Sequence, residues 1–328
     1  MKKLFFVIAF LCCAVVMVVA QPAGAVSGQF SVSATKKVYF AKGNLQYHCK
    51  NNQWRFAPSQ YDTIGGANVN LSEVYEGWID LYGWSTKNTN FGVSTTTDSE
   101  AYSGNFVDWG TVMGNGWRTL TSDEVKYLLG HRGNGRPDFA QKYGVARVAG
   151  IDGVILLPDD WKLPDDVALF FTFNSGASTT DSYADHNKYS AEQWQTLEAA
   201  GAVFLPVTGM RYGSNMFAEE THTGYYWTAT ESDGQIGGIS VTAKKVGLTS
   251  ETGEYAEAVR LVYNVPSTPT AVEQVQMPLV YIEPGRVVCA EPIRIFDLLG
   301  RDVTGSNGSL KGIYVVKTSS AMQKVFVN

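Results

Sequence analysis

The sequence predicts an α+β fold, and three observations carry that prediction. Runs of alternating apolar and polar residues dominate the chain. Only two segments repeat apolar residues at helical spacing. The order along the chain is strands, helix, loops, helix, strands, rather than a repeated strand–helix–strand unit.

The first strands lie in KKVYFAKGNLQYHCKNNQWRFA, where Val38 and Phe40, Leu45 and Tyr47, and Trp54 and Phe56 follow a period of two, with Asn51 and Asn52 as turn material. Residues 60–113 are rich in Gly, Ser, Thr and Asn, with aromatic islands at GWIDLYGW and FVDWG. A loop region of that length is expected to carry ligand contacts. In TLTSDEVKYLLGH, Thr121 caps a helix, Glu124 completes the capping box and Gly130 closes the end. SAEQWQTLEAAG repeats the design with Ser190, Gln193 and Gly201, and Val125, Leu128, Leu129, Trp194 and Leu197 supply the buried faces. Between the helices, GVILLP is an apolar run of strand length. Pro158-Asp159-Asp160 and Pro164-Asp165-Asp166 then read as two turns that direct Trp161 and Leu163 inward. Four further strands follow in AVFLPVTGMRYG, GYYWTATES, GGISVTAKKVGL and EAVRLVYNV.

The chain begins with MKK and an uncharged apolar stretch over residues 4–20, followed by QPAGAVSG. This is the pattern of a signal peptide over residues 1–25, with cleavage at the Ala23-x-Ala25 motif and Ala20 as the second site. The stretch is short for a membrane span. Cys12 follows Leu11 inside the apolar region, which is not the setting of a lipid-acceptor cysteine. Removal of this segment leaves Cys49 and Cys289, and no disulfide between them is expected. The formal charge of −5 and the scattered Lys and Arg give no basic stripe, which argues against a nucleic-acid partner. All eight tryptophans lie between Trp54 and Trp227, and Pro266 and Pro269 mark a change of composition. The expected organisation is therefore a domain over residues 26–265, a linker over 266–271 and a second domain over 272–328.

Chemistry-bearing motifs are few. There is no Gly-x-Ser-x-Gly elbow, His-Glu-x-x-His helix or phosphate loop, and GNGWR and GNGRP lack the third glycine. His48, His131, His186 and His222 form no i, i+4 pair, so no zinc site is expected. In DSYADHN, Asp181, Asp185 and Asn187 supply part of a calcium shell at a spacing that is not that of an EF-hand. No cofactor is expected, with a structural calcium ion as the open alternative. Aromatic residues make up 12% of the chain. Trp84, Trp109 and Tyr212 are candidates for a stacking platform, whereas Trp54, Trp117, Trp194 and Trp227 are assigned to the core.

GNGWRTLTSDEVKYLLGHR, GVILLPDDW, GAVFLPVTGMRYG, GYYWTATES and EAVRLVYN together resemble the Fibrobacter-type major paralogous domain, which is similar to the formylglycine-generating, C-type-lectin-like fold. Gly116, Trp117 and Arg118 match its helix entry. Leu205, Pro206, Gly209 and Arg211 match its Leu-Pro strand, and Gly224, Tyr225, Tyr226 and Trp227 its late strand. Thr119, Leu120 and Val125 depart from the pattern. The resemblance implies a C-type-lectin-like fold with two short helices and a strand-rich core. Formylglycine-generating activity would need a second cysteine beside Cys49, and the Glu-Pro-Asn and Trp-Asn-Asp signatures of sugar-binding calcium lectins are absent.

The tail, IRIFDLLGRDVTGSNGSLKGIYVVKTSSAMQKVFVN, resembles the sorting domain of type IX secretion cargo, a small Ig-like β-sandwich. The hallmarks fall on Gly300, Val303, Gly312, Tyr314 and Lys317, with Lys311 standing where the pattern often has proline. This resemblance implies the type IX machinery as a partner, passage across the outer membrane, removal of the tail and attachment at the cell surface. The expected function is a secreted, cell-surface ligand-binding or adhesion protein without catalytic activity. Its ligand is a glycan or a host surface protein, contacted by residues 60–113 and 210–224. A surface hydrolase with carboxylates from separate loops and a structural surface-layer or fimbrial subunit are the competing readings.

Overall fold

The structure, a computed structural model, describes residues 21–85, 105–114, 116–130, 142–165, 167, 185, 187–217, 222–266, 280–289, 291–318 and 322–328. Residues 1–20, Asp166, Asp181, His131 and His186 lie outside the described residues. The chain divides into two compact units, Met1–Pro266 and Ser267–Asn328. Strands predominate and helices are few, as expected for an α+β chain.

In the first unit, a four-stranded sheet runs in the order Phe30–Ser31, Lys37–Phe40, Val262–Asn264, Trp117–Arg118. Val262 is opposite Phe40 and Tyr263 opposite Tyr39, so the two ends of the unit are paired. A second sheet orders Lys188–Tyr189, Tyr143–Val148, Ile151–Leu156 and Val203–Pro206. A seven-stranded sheet runs Asn215–Phe217, Met210–Tyr212, Tyr255–Ala258, Thr223–Ser232, Gln235–Thr242, Val246–Glu251, with Leu81–Gly83 also paired to Tyr255–Ala258. A three-stranded sheet of Gln53–Phe56, Leu45–His48 and Trp78–Ile79 completes the strands that bear on the site.

The helices sit where their caps place them. Ser190 Oγ accepts from Gln193 N at 3.2 Å and Gln193 Oε1 accepts from Ser190 N at 2.9 Å, starting the helix Ala191–Ala199. Thr121 and Glu124 exchange the same pair of bonds ahead of Ser122–Gly130. Each capping box satisfies two of the helix-start N–H groups that have no partner within the helix. Trp194 and Leu197 bury one helix face in a cluster with Phe204, Ile155 and Val148. Val125 and Leu128 join the larger core of Phe30, Phe40, Leu45, Tyr47, Leu81, Tyr226 and Trp227.

GVILLP forms most of the strand Ile151–Leu156, buried from Asp152 onward. The following Pro-Asp-Asp repeats are turns, with Trp161 N donating to Pro158 O and Val167 N to Pro164 O, each at 3.3 Å. Trp161 packs half-buried on the second cluster. Leu163, expected to point inward, is instead 50% exposed. Between the two turns it belongs to no strand, so no ladder dictates its direction. Asp159 ties this segment to the first strands. It accepts from Ser31 N at 3.1 Å and Ser31 Oγ at 2.6 Å, and pairs with Lys37 at 3.1 Å.

The second unit pairs Val280–Glu283 with Arg286–Cys289, and orders Arg294–Phe296, Gly312–Lys317 and Met322–Val327 in a three-stranded sheet. Val287, Ile295, Leu310, Val316, Val325 and Val327 form its core.

Candidate functional site

A cleft of about 420 Å³ opens beside the three-stranded sheet, lined by Gln46, Arg55, Pro58, Tyr61, Asp62, Thr63, Ile64 and Ile151. Its volume falls in the range of small-ligand sites. Antiparallel pairing sets Gln46 directly opposite Arg55, so both side chains project from one face. Arg55 Nε donates to Gln46 Oε1 at 2.9 Å, and the guanidinium lies 3.7 Å from the Trp78 ring centroid. Trp78 is brought there by the third strand, opposite His48, whose ring meets it edge-on at 5.0 Å. Stacking and the Gln46 bond hold the guanidinium in place while its remaining N–H groups stay available to a ligand.

The opposite wall is a loop pinned at both ends. Buried Gln60 accepts from Phe204 N at 2.8 Å and donates to Glu198 Oε1 at 3.0 Å. Arg260 reaches the same anchor, donating to Asn44 Oδ1 at 2.9 Å and Phe204 O at 3.0 Å. Burial lowers the Arg260 guanidinium to about 10, still far above neutral pH. At the far end, buried Asp80 accepts from Ile64 N at 3.1 Å and Asn68 Nδ2 at 2.8 Å. Between these anchors, Asp62 Oδ2 accepts from Ser59 N at 2.8 Å, and Tyr61, Asp62 and Thr63 face the cleft. A wall fixed in this way loses little freedom when a ligand binds. The lining combines guanidinium, carboxylate, phenol, hydroxyl and amide groups, a set suited to a neutral ligand rich in hydroxyls.

Most of the residues expected at a binding site lie elsewhere. Trp84 and Trp109 are 5% and 0% exposed, which corrects their assignment to a stacking platform. Trp84 stacks on Phe106 at 4.7 Å and donates to Thr228 O at 3.0 Å, and Trp109 meets Phe106 edge-on at 5.6 Å. The aromatic islands pack on each other, and Ser85 joins their ends by accepting from Val107 N at 2.9 Å. Tyr212 is half-buried beside Tyr255 and Phe217, with ring centroids 5.5 and 6.4 Å away.

Of the three calcium candidates, Asp185 and Asn187 are described and Asp181 lies outside the described residues. Asp185 is paired with Arg147 at 2.6 Å and Lys188 at 3.3 Å. Asn187 is buried, donating to Val145 O at 3.0 Å and accepting from Tyr189 Oη at 2.6 Å. Asn187 has both amide atoms engaged by protein partners, and Asp185 pairs through Oδ1. Among the described residues, no group of three or more His, Cys, Asp or Glu is placed to hold a metal ion.

Ala23 and Ala25 lie in a turn that belongs to the fold. Ala25 N donates to Pro22 O at 3.1 Å, Ala25 bridges Ala41, and Lys42 N donates to Gly24 O at 2.9 Å. In the second unit, Gly300 and Gly312 adopt positive φ angles of 81° and 117° where strands begin or turn. Val303 packs on the core and its N–H donates to Ile295 O at 2.8 Å. Tyr314 Oη donates to Lys311 O at 3.1 Å and accepts from Lys311 N at 3.2 Å, and Lys317 is exposed opposite Arg294 and Met322.

No family model, curated protein or solved structure matches this chain. Tyr61, Asp62, Thr63 and Ile64 fall in the 60–113 region expected to carry contacts, whereas Gln46, Arg55, Pro58 and Ile151 were not anticipated. One signal was readable: a hairpin turning at Asn51 and Asn52 sets 46 against 55.

Proposed function

We propose that the protein is secreted and displayed at the cell surface, where it binds a hydroxyl-rich ligand, most simply a glycan, without transforming it. The observation that carries this reading is the cleft with Arg55 held between Gln46 and Trp78 against the pinned wall of Tyr61, Asp62 and Thr63. Polyols are recognised by fixed, convergent donors and acceptors on a scaffold that does not reorganise. A hydrolase would present two carboxyl groups to one substrate; among the described lining residues Asp62 is the one acid. The leader-like start, the C-type-lectin-like motif order and the sorting-domain motifs of the tail support export by type IX secretion.

Glycan-array binding by the chain from Gln21 onward tests the ligand, with Arg55→Ala as the control. Array signal lost in that variant is expected; absence of any glycan signal, or signal unchanged by it, refutes the cleft reading. For export, residues 265–328 fused to a secreted reporter in a type IX host should deliver it to the surface. Retention in the periplasm would refute the sorting role.

A further inference from the structure

The three-stranded sheet of the second unit carries apolar side chains on both faces. Its inner face forms the core, through Ile295, Val316, Val325 and Val327. Residues directly opposite each other across an antiparallel ladder share a face, so the register identifies the outer set as well. Phe296, Ile313 and Val315 belong to it, as do Met322 and Phe326. Ile313 is directly opposite Phe326, and these two are 40% and 61% exposed, with Met322 at 64%. An antiparallel sheet with one solvated face ordinarily alternates apolar inward with polar outward. Here most of the outward positions are apolar too, and exposed apolar surface of this kind marks an interaction site.

The remaining outward positions are Arg294, Lys317 and Lys324, so the face carries no acid. Arg294 is matched by Asp302 at 2.6 Å, and its guanidinium lies 5.2 Å from the Phe296 ring centroid. Asp297, next to Phe296 in the chain, is spent on Arg301 at 2.7 Å. Lys317 and Lys324 are exposed, and neither has an ion-pair partner among the described residues. The complement of this face is therefore an anion.

The placement of the lysines distinguishes between possible covers. A second copy laid face to face would set Lys317 and Lys324 against their own kind. A folded protein partner would bury Lys324, which lies between Met322 and Phe326 on one strand and opposite Val315, although lysine is depleted from the cores of such interfaces. At a bilayer surface the conflict disappears. Lysine stems run alongside the apolar side chains while their ammonium groups stay among the headgroups.

We propose that the outer face of Arg294–Phe296, Gly312–Lys317 and Met322–Val327 docks on a bilayer that contains anionic phospholipid. Ile313, Met322 and Phe326 enter the boundary between headgroups and acyl chains, and Lys317 and Lys324 meet lipid phosphates. Attachment of this kind is reversible and sensitive to salt, because it adds a few partly buried side chains to charge attraction. It requires neither a ligand in the cleft nor recognition of the tail by an export machinery.

Co-sedimentation tests this with the chain from Gln21 onward, which lacks the apolar stretch over residues 4–20. Two kinds of vesicle are compared: phosphatidylcholine alone, and equal parts phosphatidylcholine and phosphatidylglycerol. Binding to the mixed vesicles should be at least about 10-fold tighter in low salt, and should fall steeply as salt is added. Lys317→Glu combined with Lys324→Glu, and separately Phe326→Ser, should each weaken it about 10-fold or more. All three side chains are exposed, so these variants should fold. On the unaltered chain, mixed vesicles should shield Lys317 and Lys324 from acetylation, read by mass spectrometry, so the test stands even if a variant misfolds. No binding to the mixed vesicles, equal binding to both kinds, parental affinity in a folded variant, or unshielded lysines on the bound chain would each overturn the assignment. A dimer that is lost in Phe326→Ser, without vesicle binding, would give the face to a second copy instead.

Discussion

Arg55 and Trp78 are stacked with the guanidinium carbon 3.7 Å from the ring centroid, although 22 residues of loop and strand separate them in the chain. The pair gives the cleft its cationic wall, and Gln46 fixes the angle. Arg55→Ala should weaken glycan binding about 10-fold while lowering stability by about 1 kcal/mol or less, because one half-exposed cation–π contact is worth little more. Arg55→Lys should fail to restore affinity, since an ammonium cannot hold the Gln46 bond and stack at once. Affinities and thermal melts of both variants check this.

Glu257 predicts an unusual gain. Burial, and next the charge of Glu251, hold its carboxyl well above the ordinary glutamate range. The folded state therefore binds a proton that the unfolded chain releases, and this group's contribution to stability falls as pH rises above the unfolded value. Glu257→Gln should remove that slope and raise stability at pH 7 by on the order of 1–3 kcal/mol. Thermal melts from pH 4 to pH 8 measure it; a variant less stable than the parent at pH 7 would contradict the burial of an unpartnered acid.

Asp159 has the opposite sign. Burial opposes its ionisation, but the Ser31 hydroxyl and amide and the Lys37 ammonium outweigh that and hold its carboxyl below the ordinary aspartate range. Its contribution is present above the unfolded value and is lost as pH falls through the folded one. Asp159→Ala should cost about 1–3 kcal/mol at pH 7, and the difference from the parent should shrink in acid. Urea unfolding at pH 7 and pH 3 resolves the two cases.

The turn at Ala23 and Ala25 bears on where the proposed leader would be cut. Cleavage after Ala25 would remove the Ala25–Ala41 bridge and the Lys42–Gly24 bond. We therefore expect cleavage after Ala20, which leaves this turn in place. Chains beginning at Gln21 should be more stable than chains beginning at Val26 by about 1–3 kcal/mol. The N-terminal residue of the protein purified from its host, read by mass spectrometry, decides between the two sites.

What was legible in the sequence was local. The capping residues Ser190 and Gln193, and Thr121 and Glu124, act as their spacing indicates, because a cap involves only neighbours in the chain. The strand Ile151–Leu156 and the turns at Pro158 and Pro164 follow from a run length and from proline geometry. What stayed hidden depends on distant partners. Trp84 sits in a loop composition that suggests exposure, yet its indole bonds to Thr228, 144 residues away. Glu257 looks like a solvent-facing strand residue, yet it is 0% exposed, with its carboxyl beside Gly238 of a strand two places away in the sheet. The cleft combines both kinds: the Gln46–Arg55 pairing is local, whereas the Gln60 anchor of its facing wall is not.

The pairing of Lys37–Phe40 with Val262–Asn264 constrains when the first unit can assemble. A chain synthesised from its N-terminus can pair Lys37–Phe40 with Phe30–Ser31 early, but the strand's other edge stays open until residue 264 has emerged. Closing that contact spans roughly 220 residues, a loop entropy of about 5 kcal/mol. Partial lengths therefore lack the seam that ties the unit together. A protein built this way stays threadable while any of its C-terminal strand is missing, and becomes hard to pull apart from either end once that strand arrives.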